Sequence, residues 1–129
     1  MKGRAFVDGS TRQTCTVIND GQGDVAIVLP VGKVGERVTN NQGEYLAIIE
    51  GLKRASRLGW KEVEILSDSQ LAIKQINTFL GLPTDIEYQI KNKRLKELVF
   101  IVGDWWQKFE GVKFTWVPRE QNPAGEILG

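Results

Sequence analysis

Apolar residues recur along this chain at two spacings, which predict strands and helices in alternation. Short apolar runs end at Asp8 and again at Asp68, and a third covers residues 112–117. Between residues 45 and 55 the apolar residues fall three or four positions apart, which predicts a helix that stops at Gly59. A strand, a helix and a strand in that order predict a βαβ crossover with a parallel strand pair.

The stretch between the first strand and this helix predicts a hairpin. Residues 25–30 and 35–39 are short β-type runs separated by residues 31–34. Residues 11–23 are rich in Thr, Asn, Asp and Gly, which predicts a loop, with some extended structure around residues 15–18 left open. Paired with the strand that ends at Asp8, the hairpin would form a three-stranded sheet.

Two further helices are predicted after Asp68, over residues 70–79 and about 87–109. The second has an expected buried stripe, and Trp105 is expected to pack beside it. Its basic cluster is interpreted as a solvated face in preference to a phosphate contact. A short last helix follows a turn over residues 118–126. The stripe comprises Ile90, Leu95, Leu98, Val99, Val102 and Trp106, and the basic cluster comprises Lys91, Lys93, Arg94 and Lys96.

Acidic residues lie at the ends of two predicted strands and at the start of the predicted helix between them. Asp8 and Asp68 each follow a predicted strand, and neighbouring parallel strands would bring them to the sheet edge where α/β proteins bind ligands. Glu44 lies in the first turn of the intervening helix. There it would either be a capping residue stabilised by the helix dipole or form a common site with the two aspartates. Asp68 could also cap the following helix, although capping alone would not explain the matching Asp8.

Composition and charge limit the number of domains, the possible partners and the cellular compartment. The 129 residues predict one domain over residues 1–129, and the net charge of +1 gives no long-range attraction to nucleic acid, so local patches must hold a polyanion. Cys15 is the single cysteine, which excludes an intrachain disulfide and gives no sign of an oxidising compartment. No apolar run approaches the roughly 18 residues of a membrane span. We expect a cytoplasmic protein with no membrane association and no evident protein partner.

Histidine is absent from the chain. This absence removes the commonest general base and every Ser-His or Cys-His mechanism. The chemistry must therefore use carboxylates, hydroxyls or bound metal.

Four motifs in order give the chain a family resemblance. It resembles type 1 ribonuclease H over nearly its whole length, and it is similar to compact archaeal-like and some bacterial members without histidine in the final loop. The resemblance implies an α/β ribonuclease H-like fold, a five-stranded mixed sheet of order 3-2-1-4-5 with helices on both faces. The motifs are Asp8-Gly9-Ser10-Thr11, Thr39-Asn40-Asn41-Gln42-Gly43-Glu44, Ser67-Asp68-Ser69-Gln70, and Trp116-Val117-Pro118-Arg119-Glu120-Gln121-Asn122 with Glu126 four residues on.

The resemblance implies a metal-dependent endonuclease. It would hydrolyse the RNA strand of RNA/DNA hybrids and leave 5′-phosphate and 3′-hydroxyl ends. Asp8, Glu44, Asp68 and Glu126 would be the catalytic acids that hold two Mg²⁺ ions, or Mn²⁺ as a substitute, with Asp8 bridging both. Two such ions, about 3.5–4 Å apart, activate a water and stabilise the leaving oxygen, and carboxylate oxygens suit them as ligands.

Substrate contacts are also implied. Reading a ribose 2′-hydroxyl distinguishes RNA from DNA. The matching positions are Asn40, Asn41 and Gln42 for the minor groove, Gly9 and Ser10 with Glu44 for 2′-hydroxyls, Thr39 with Asn40 for a DNA phosphate, Phe79 for a DNA sugar or else the core, and Arg119 as the nearest cation in the final loop.

The chain departs from the family pattern at its fourth acid. Glu126 stands where Asp is more usual, Gly125 where Ala is more usual, and only three residues follow, so we expect Glu126 to be loosely held. Three hypotheses stay open: an active ribonuclease H, a catalytically weak relative that binds hybrid or double-stranded nucleic acid, and a structural domain of the same fold.

Overall fold

A computed structural model of the protein describes residues 2–19, 23–32, 36–84 and 89–129. Three strands come first and are followed by helices and two further strands, with a 3₁₀ turn at Arg119–Gln121. In chain order they are β1 Lys2–Gly9, β2 Gln13–Asn19, β3 Asp24–Pro30, α1 Asn40–Arg57, β4 Glu62–Ser67, α2 Gln70–Leu80, α3 Lys93–Trp106, β5 Gly111–Trp116 and α4 Pro123–Leu128.

The strands form one mixed sheet of order β3-β2-β1-β4-β5, as predicted. β1 is antiparallel to β2 and parallel to β4, and β4 is parallel to β5. Val7 lies opposite Ser67 in the parallel pair, so the next residues, Asp8 near the end of β1 and Asp68 just after β4, lie side by side. The predicted βαβ crossover is confirmed, and it brings both aspartates to one edge.

The predicted hairpin is wrong in its second strand. Residues 36–39 form no strand, and Gly35 lies outside the described residues. β3 pairs instead with β2, which lies in the stretch predicted as a loop with extended structure around residues 15–18 left open. The alternating side chains of β2 are buried on both faces: Cys15 and Val17 pack with Ala124, whereas Ile18 joins the core around α1. Burial on both faces removes the apolar/polar alternation that identifies a strand.

Helix ends account for the other differences. α1 begins at Asn40, several residues before the apolar pattern does, because the Thr39 side chain accepts from the Gln42 backbone N–H and caps the helix. It ends where Gly59 takes a φ of +76°. α3 begins at Lys93 behind the N-cap Asn92 and ends at residue 106, so the predicted span 87–109 was too long. Residues 87 and 88 of that span lie outside the described residues.

The core lies between the sheet and helices α1, α2 and α3, and α4 covers the opposite face. Ala5 and Val7 of β1 belong to the main core, whereas Phe6 packs against the smaller cluster beside α4. The predicted stripe is confirmed within α3, with Trp105 and Trp106 partly buried against the core, whereas Ile90 lies before the helix and is partly buried. The basic cluster of α3 is exposed. No helix among the described residues is long and apolar enough to span a membrane.

Candidate metal centre

Three carboxylates converge at the carboxyl edge of the parallel strands. Asp8, Glu44 and Asp68 each offer one carboxylate oxygen, and these oxygens lie within 4.8 Å of one another. Asp8 is the penultimate residue of β1, Glu44 is in α1, and Asp68 directly follows β4. The convergence predicted for these three acids is confirmed.

A close backbone contact brings Glu44 to Asp8. A Cβ atom on Gly9 would overlap the Gly43 carbonyl oxygen, and one on Gly43 would overlap the carbonyl oxygen of Ser10. Only glycine at both positions lets α1 approach the end of β1 this closely. The Gly9 backbone N–H then donates to Glu44 Oε1 at 2.7 Å.

The capping roles considered for the acids belong to other residues. Thr39 caps α1, and Glu44 lies beyond the first helical turn, which contains no acid. Ser69 caps α2, because its hydroxyl accepts from the Ala72 backbone N–H at 3.2 Å. Both carboxylates are therefore left for the site, and the capping alternatives for Glu44 and Asp68 are wrong.

Asp68 is held by groups from the end of the chain. Its Oδ2 atom accepts a hydrogen bond from Asn122 Nδ2 at 3.0 Å and lies 3.7 Å from a guanidinium nitrogen of Arg119. The indole N–H of Trp116 donates to the Asp68 backbone carbonyl at 3.2 Å. The segment after β5 thus fixes both the backbone and the side chain of this acid.

The electrostatics of the triad favour a bound cation. Burial is the largest cause that raises the pKa of Asp8, and the charge of Asp68 adds to it, while hydrogen bonding with Glu44 and the nearby Arg119 oppose it. Burial, followed by the negative charge of Asp8, raises the pKa of Glu44 to about 8. Carboxylates this close cannot all ionise without a compensating charge. Three hard oxygen donors in a partly buried cluster fit Mg²⁺ or Mn²⁺, which would supply that charge.

Glu126 is not brought into this cluster. Among the described residues, the carboxylates gathered within 4.8 Å are Asp8, Glu44 and Asp68. Glu126 is exposed on α4, the six-residue helix that Asn122 caps. Its role as a fourth ligand therefore stays a prediction.

A cleft of about 440 Å³ lies beside the triad. Asp8 and Glu44 line it, and so do five of the predicted substrate-contacting residues: Gly9, Ser10, Asn40, Asn41 and Arg119.

The remaining predicted contact residues lie outside this lining. Thr39 and Gln42 hold each other in the capping box of α1. Phe79 lies on α2, where 43% of its surface is exposed and its ring meets that of Phe100 edge to face at 5.1 Å. The alternative that Phe79 is a core residue is therefore wrong.

One residue of the site was not singled out from the sequence. Asn122 is fully buried and contacts both Asp68 and the backbone carbonyl of Val7. The available signal was its position four residues before Glu126, in the last of the four motifs.

Comparisons with known proteins agree with this geometry. The model of the family described as reverse transcriptase-like matches residues 4–128. Ribonuclease HI from Halobacterium salinarum is 34% identical over 128 residues, which cover 96% of this chain and 60% of that protein. The bifunctional protein Rv2228c from Mycobacterium tuberculosis is 31% identical over 92 residues, which cover 71% of this chain and 23% of that protein. The chain thus spans less than two thirds of these relatives.

Solved structures show the same architecture. RNase H1 from Halobacterium salinarum superposes with a TM-score of 0.83 at 26% identity, over 99% of this chain and 94% of that chain. LC11-RNase H1, solved in complex with an RNA/DNA hybrid, superposes with a TM-score of 0.75 at 25% identity, over 98% of this chain and 92% of that chain. The sheet order and the helices of the present chain are those of this fold.

Proposed function

This chain belongs to the reverse transcriptase-like family, and on that premise we propose that it is a type 1 ribonuclease H, which hydrolyses the RNA strand of RNA/DNA hybrids. The observation that carries the proposal is the triad of Asp8, Glu44 and Asp68, whose oxygens lie within 4.8 Å at the edge of a parallel strand pair. The structure of LC11-RNase H1 with a hybrid supports this choice of substrate.

The metal ligands would be Asp8, Glu44 and Asp68, with Glu126 as a proposed fourth. Two divalent ions, Mg²⁺ or Mn²⁺, would supply an activated water and a Lewis acid for the leaving 3′-oxygen, and the products would carry 5′-phosphate and 3′-hydroxyl ends. Other residues of the chain hold two of these acidic side chains in position. Gly9 anchors the Glu44 side chain, and Asn122 with Arg119 anchors Asp68.

The cleft beside the triad is proposed to read the hybrid. Gly9, Ser10, Asn40 and Asn41 line it, and their backbone and amide groups can bond to ribose 2′-hydroxyls. The capping box of Thr39 and Gln42 orients the helical turn that presents the two asparagines. Duplex DNA lacks these hydroxyls and should be spared.

Phe79 is proposed to contact the DNA strand. Its exposed ring stands on α2, the helix that follows Asp68. Phe79→Ala should raise the KM for hybrid by about fivefold, which corresponds to roughly 1 kcal/mol. Phe100→Ala is the matched control, because it removes the same edge-to-face ring pair while leaving Phe79 in place. An equal rise in KM for both variants would contradict the assignment.

A weaker activity is the second candidate. The exposure of Glu126, outside the carboxylate cluster, favours a domain that binds hybrid or double-stranded nucleic acid and cleaves it poorly. This observation concerns one ligand of four, so cleavage stays the primary proposal.

One experiment that compares cleavage and binding of two substrates distinguishes the two candidate functions. Purified protein is incubated with Mg²⁺ and a hybrid labelled on its RNA strand, with the matching DNA duplex alongside, and binding is measured in parallel. The proposal expects internal cuts in the RNA of the hybrid, 5′-phosphate products and intact duplex DNA. Binding without cuts would support the second candidate, and equal cleavage of duplex DNA would contradict the proposed recognition.

A further inference from the structure

The Asn122 side chain joins three elements around the carboxylate triad: the end of β1, the residue after β4, and the start of α4. It is fully buried, and its Nδ2 donates to the Val7 carbonyl at 2.9 Å and to Asp68 Oδ2 at 3.0 Å. Its Oδ1 accepts from the Ala124 backbone N–H at 3.2 Å and caps α4. A primary amide has two N–H groups, so each acceptor receives its own hydrogen.

These partners fix the orientation of the amide. Turned over, it would place Oδ1 against a carbonyl oxygen and a carboxylate oxygen, and its NH₂ group against the N–H of Ala124. Both contacts would then be repulsive, because each would set donor against donor or acceptor against acceptor. The amide therefore has one satisfied orientation, in which it bridges two acceptors from different strands.

The bridge spans the two halves of the triad. Val7 directly precedes Asp8 on β1, and Asp68 directly follows β4, so one nitrogen sets the Asp68 carboxylate relative to the strand that carries Asp8. The same side chain caps the helix that carries Glu126.

We propose that Asn122 is a positioning residue that holds Asp68 in the geometry for divalent metal and ties the start of α4 to the same point. This inference rests on the metal-dependent site proposed above. Residues that orient metal ligands commonly change metal affinity or activity 10- to 100-fold when replaced. If Asn122 merely capped α4, a substitution that still caps the helix would leave the metal affinity unchanged.

The test compares two buried asparagines. Asn122→Ser keeps an oxygen able to cap α4 but loses both N–H donors. Asn77→Ser is the matched control, because Asn77 is buried and donates to the Phe114 carbonyl at 3.3 Å, a bond outside the triad. Metal binding is followed as the rise in melting temperature during a Mn²⁺ titration, and cleavage is measured as a second readout.

We expect Asn122→Ser to raise the midpoint of the Mn²⁺ titration at least tenfold, and Asn77→Ser to lower the melting temperature while keeping the wild-type midpoint. A wild-type midpoint for Asn122→Ser would overturn the inference. Wild-type protein that does not bind Mn²⁺ at all would overturn both this inference and the metal-dependent function. Wild-type protein that binds Mn²⁺, loses affinity in Asn122→Ser and yet leaves hybrid uncut would support the inference and overturn the proposed activity.

A measurement on the unsubstituted protein covers the case in which Asn122→Ser does not fold. In ¹H–¹⁵N spectra, the side-chain amide signals of Asn122 should shift with added Mg²⁺, while those of Asn77 stay in place. Asn122 signals that do not move while other residues of the triad region report Mg²⁺ binding would overturn the inference.

Discussion

Replacing Asp8 by Asn should stabilise the metal-free protein at pH 8, although it removes a carboxylate from the proposed catalytic site. The reason is the repulsion within the triad. The pKa of Glu44 is raised to about 8 from an ordinary value of 4.5, through burial first and the charge of Asp8 second. Since each pKa unit corresponds to about 1.4 kcal/mol, the whole perturbation costs the folded protein at most about 5 kcal/mol at high pH.

Only part of that cost comes from Asp8. Because burial is the larger cause, we expect Asp8→Asn to recover about 1–2 kcal/mol of unfolding free energy at pH 8. Glu44 holds its proton in the folded protein between pH 4.5 and about 8, whereas the unfolded chain releases it. Folding therefore takes up protons in this window, and the stability of the metal-free protein falls as the pH rises through it.

The assay is urea unfolding in EDTA at pH 5.5 and pH 8. Asp8→Asn should lie close to wild type at pH 5.5 and exceed it at pH 8, and Mn²⁺ should stabilise it less than wild type. Asp104→Asn, an exposed acid on α3, is the control and should leave the pH dependence unchanged. An Asp8→Asn variant that is less stable than wild type by the same amount at both pH values would refute the reasoning.

Three further variants test other parts of the site. Glu126→Gln should keep residual cleavage, more visibly with Mn²⁺, because Glu126 is exposed and outside the cluster. Cleavage as slow as that of Asp8→Asn would contradict this. Gly43→Ala should abolish cleavage and lower the urea midpoint, because its Cβ would overlap the Ser10 carbonyl oxygen; near-normal activity would contradict the close approach. Gly125→Ala should stabilise α4 by up to about 1 kcal/mol. The same change should raise the Mg²⁺ concentration for half-maximal cleavage, since its Cβ would lie 3.0 Å from Asp68 Oδ2, and an unchanged Mg²⁺ requirement would count against that contact.

The sequence allowed much of the fold to be predicted, because β1, β4 and α1 each bury their apolar residues in a pattern with one clear period. The crossover between them then placed Asp8 and Asp68 together through topology alone. The extent of β2 was not predicted, and extended structure was only left open there, because both faces of β2 are buried, with Thr14 and Thr16 among the buried side chains. Such a strand shows no alternation, and its threonines resemble loop residues.

The contacts of Asn122 were beyond reach of the sequence for a different reason. Its partners Val7 and Asp68 lie 115 and 54 positions away, and only the folded sheet brings them to one amide. The start of α1 was placed too late because its first turn, at Asn40, is polar, and a polar first turn resembles the loop before it.

The central claim is that the triad makes this protein a metal-dependent nuclease for hybrids. The most direct measurement is the rate of RNA-strand cleavage in a labelled RNA/DNA hybrid as Mg²⁺ is titrated into protein freed of metal by EDTA, with Asp8→Asn in parallel. We predict no cleavage without Mg²⁺, a rate that rises and saturates with Mg²⁺, and no cleavage by Asp8→Asn at any concentration. Cleavage that persists in EDTA, or folded wild-type protein that leaves the hybrid intact at saturating Mg²⁺, would contradict the claim.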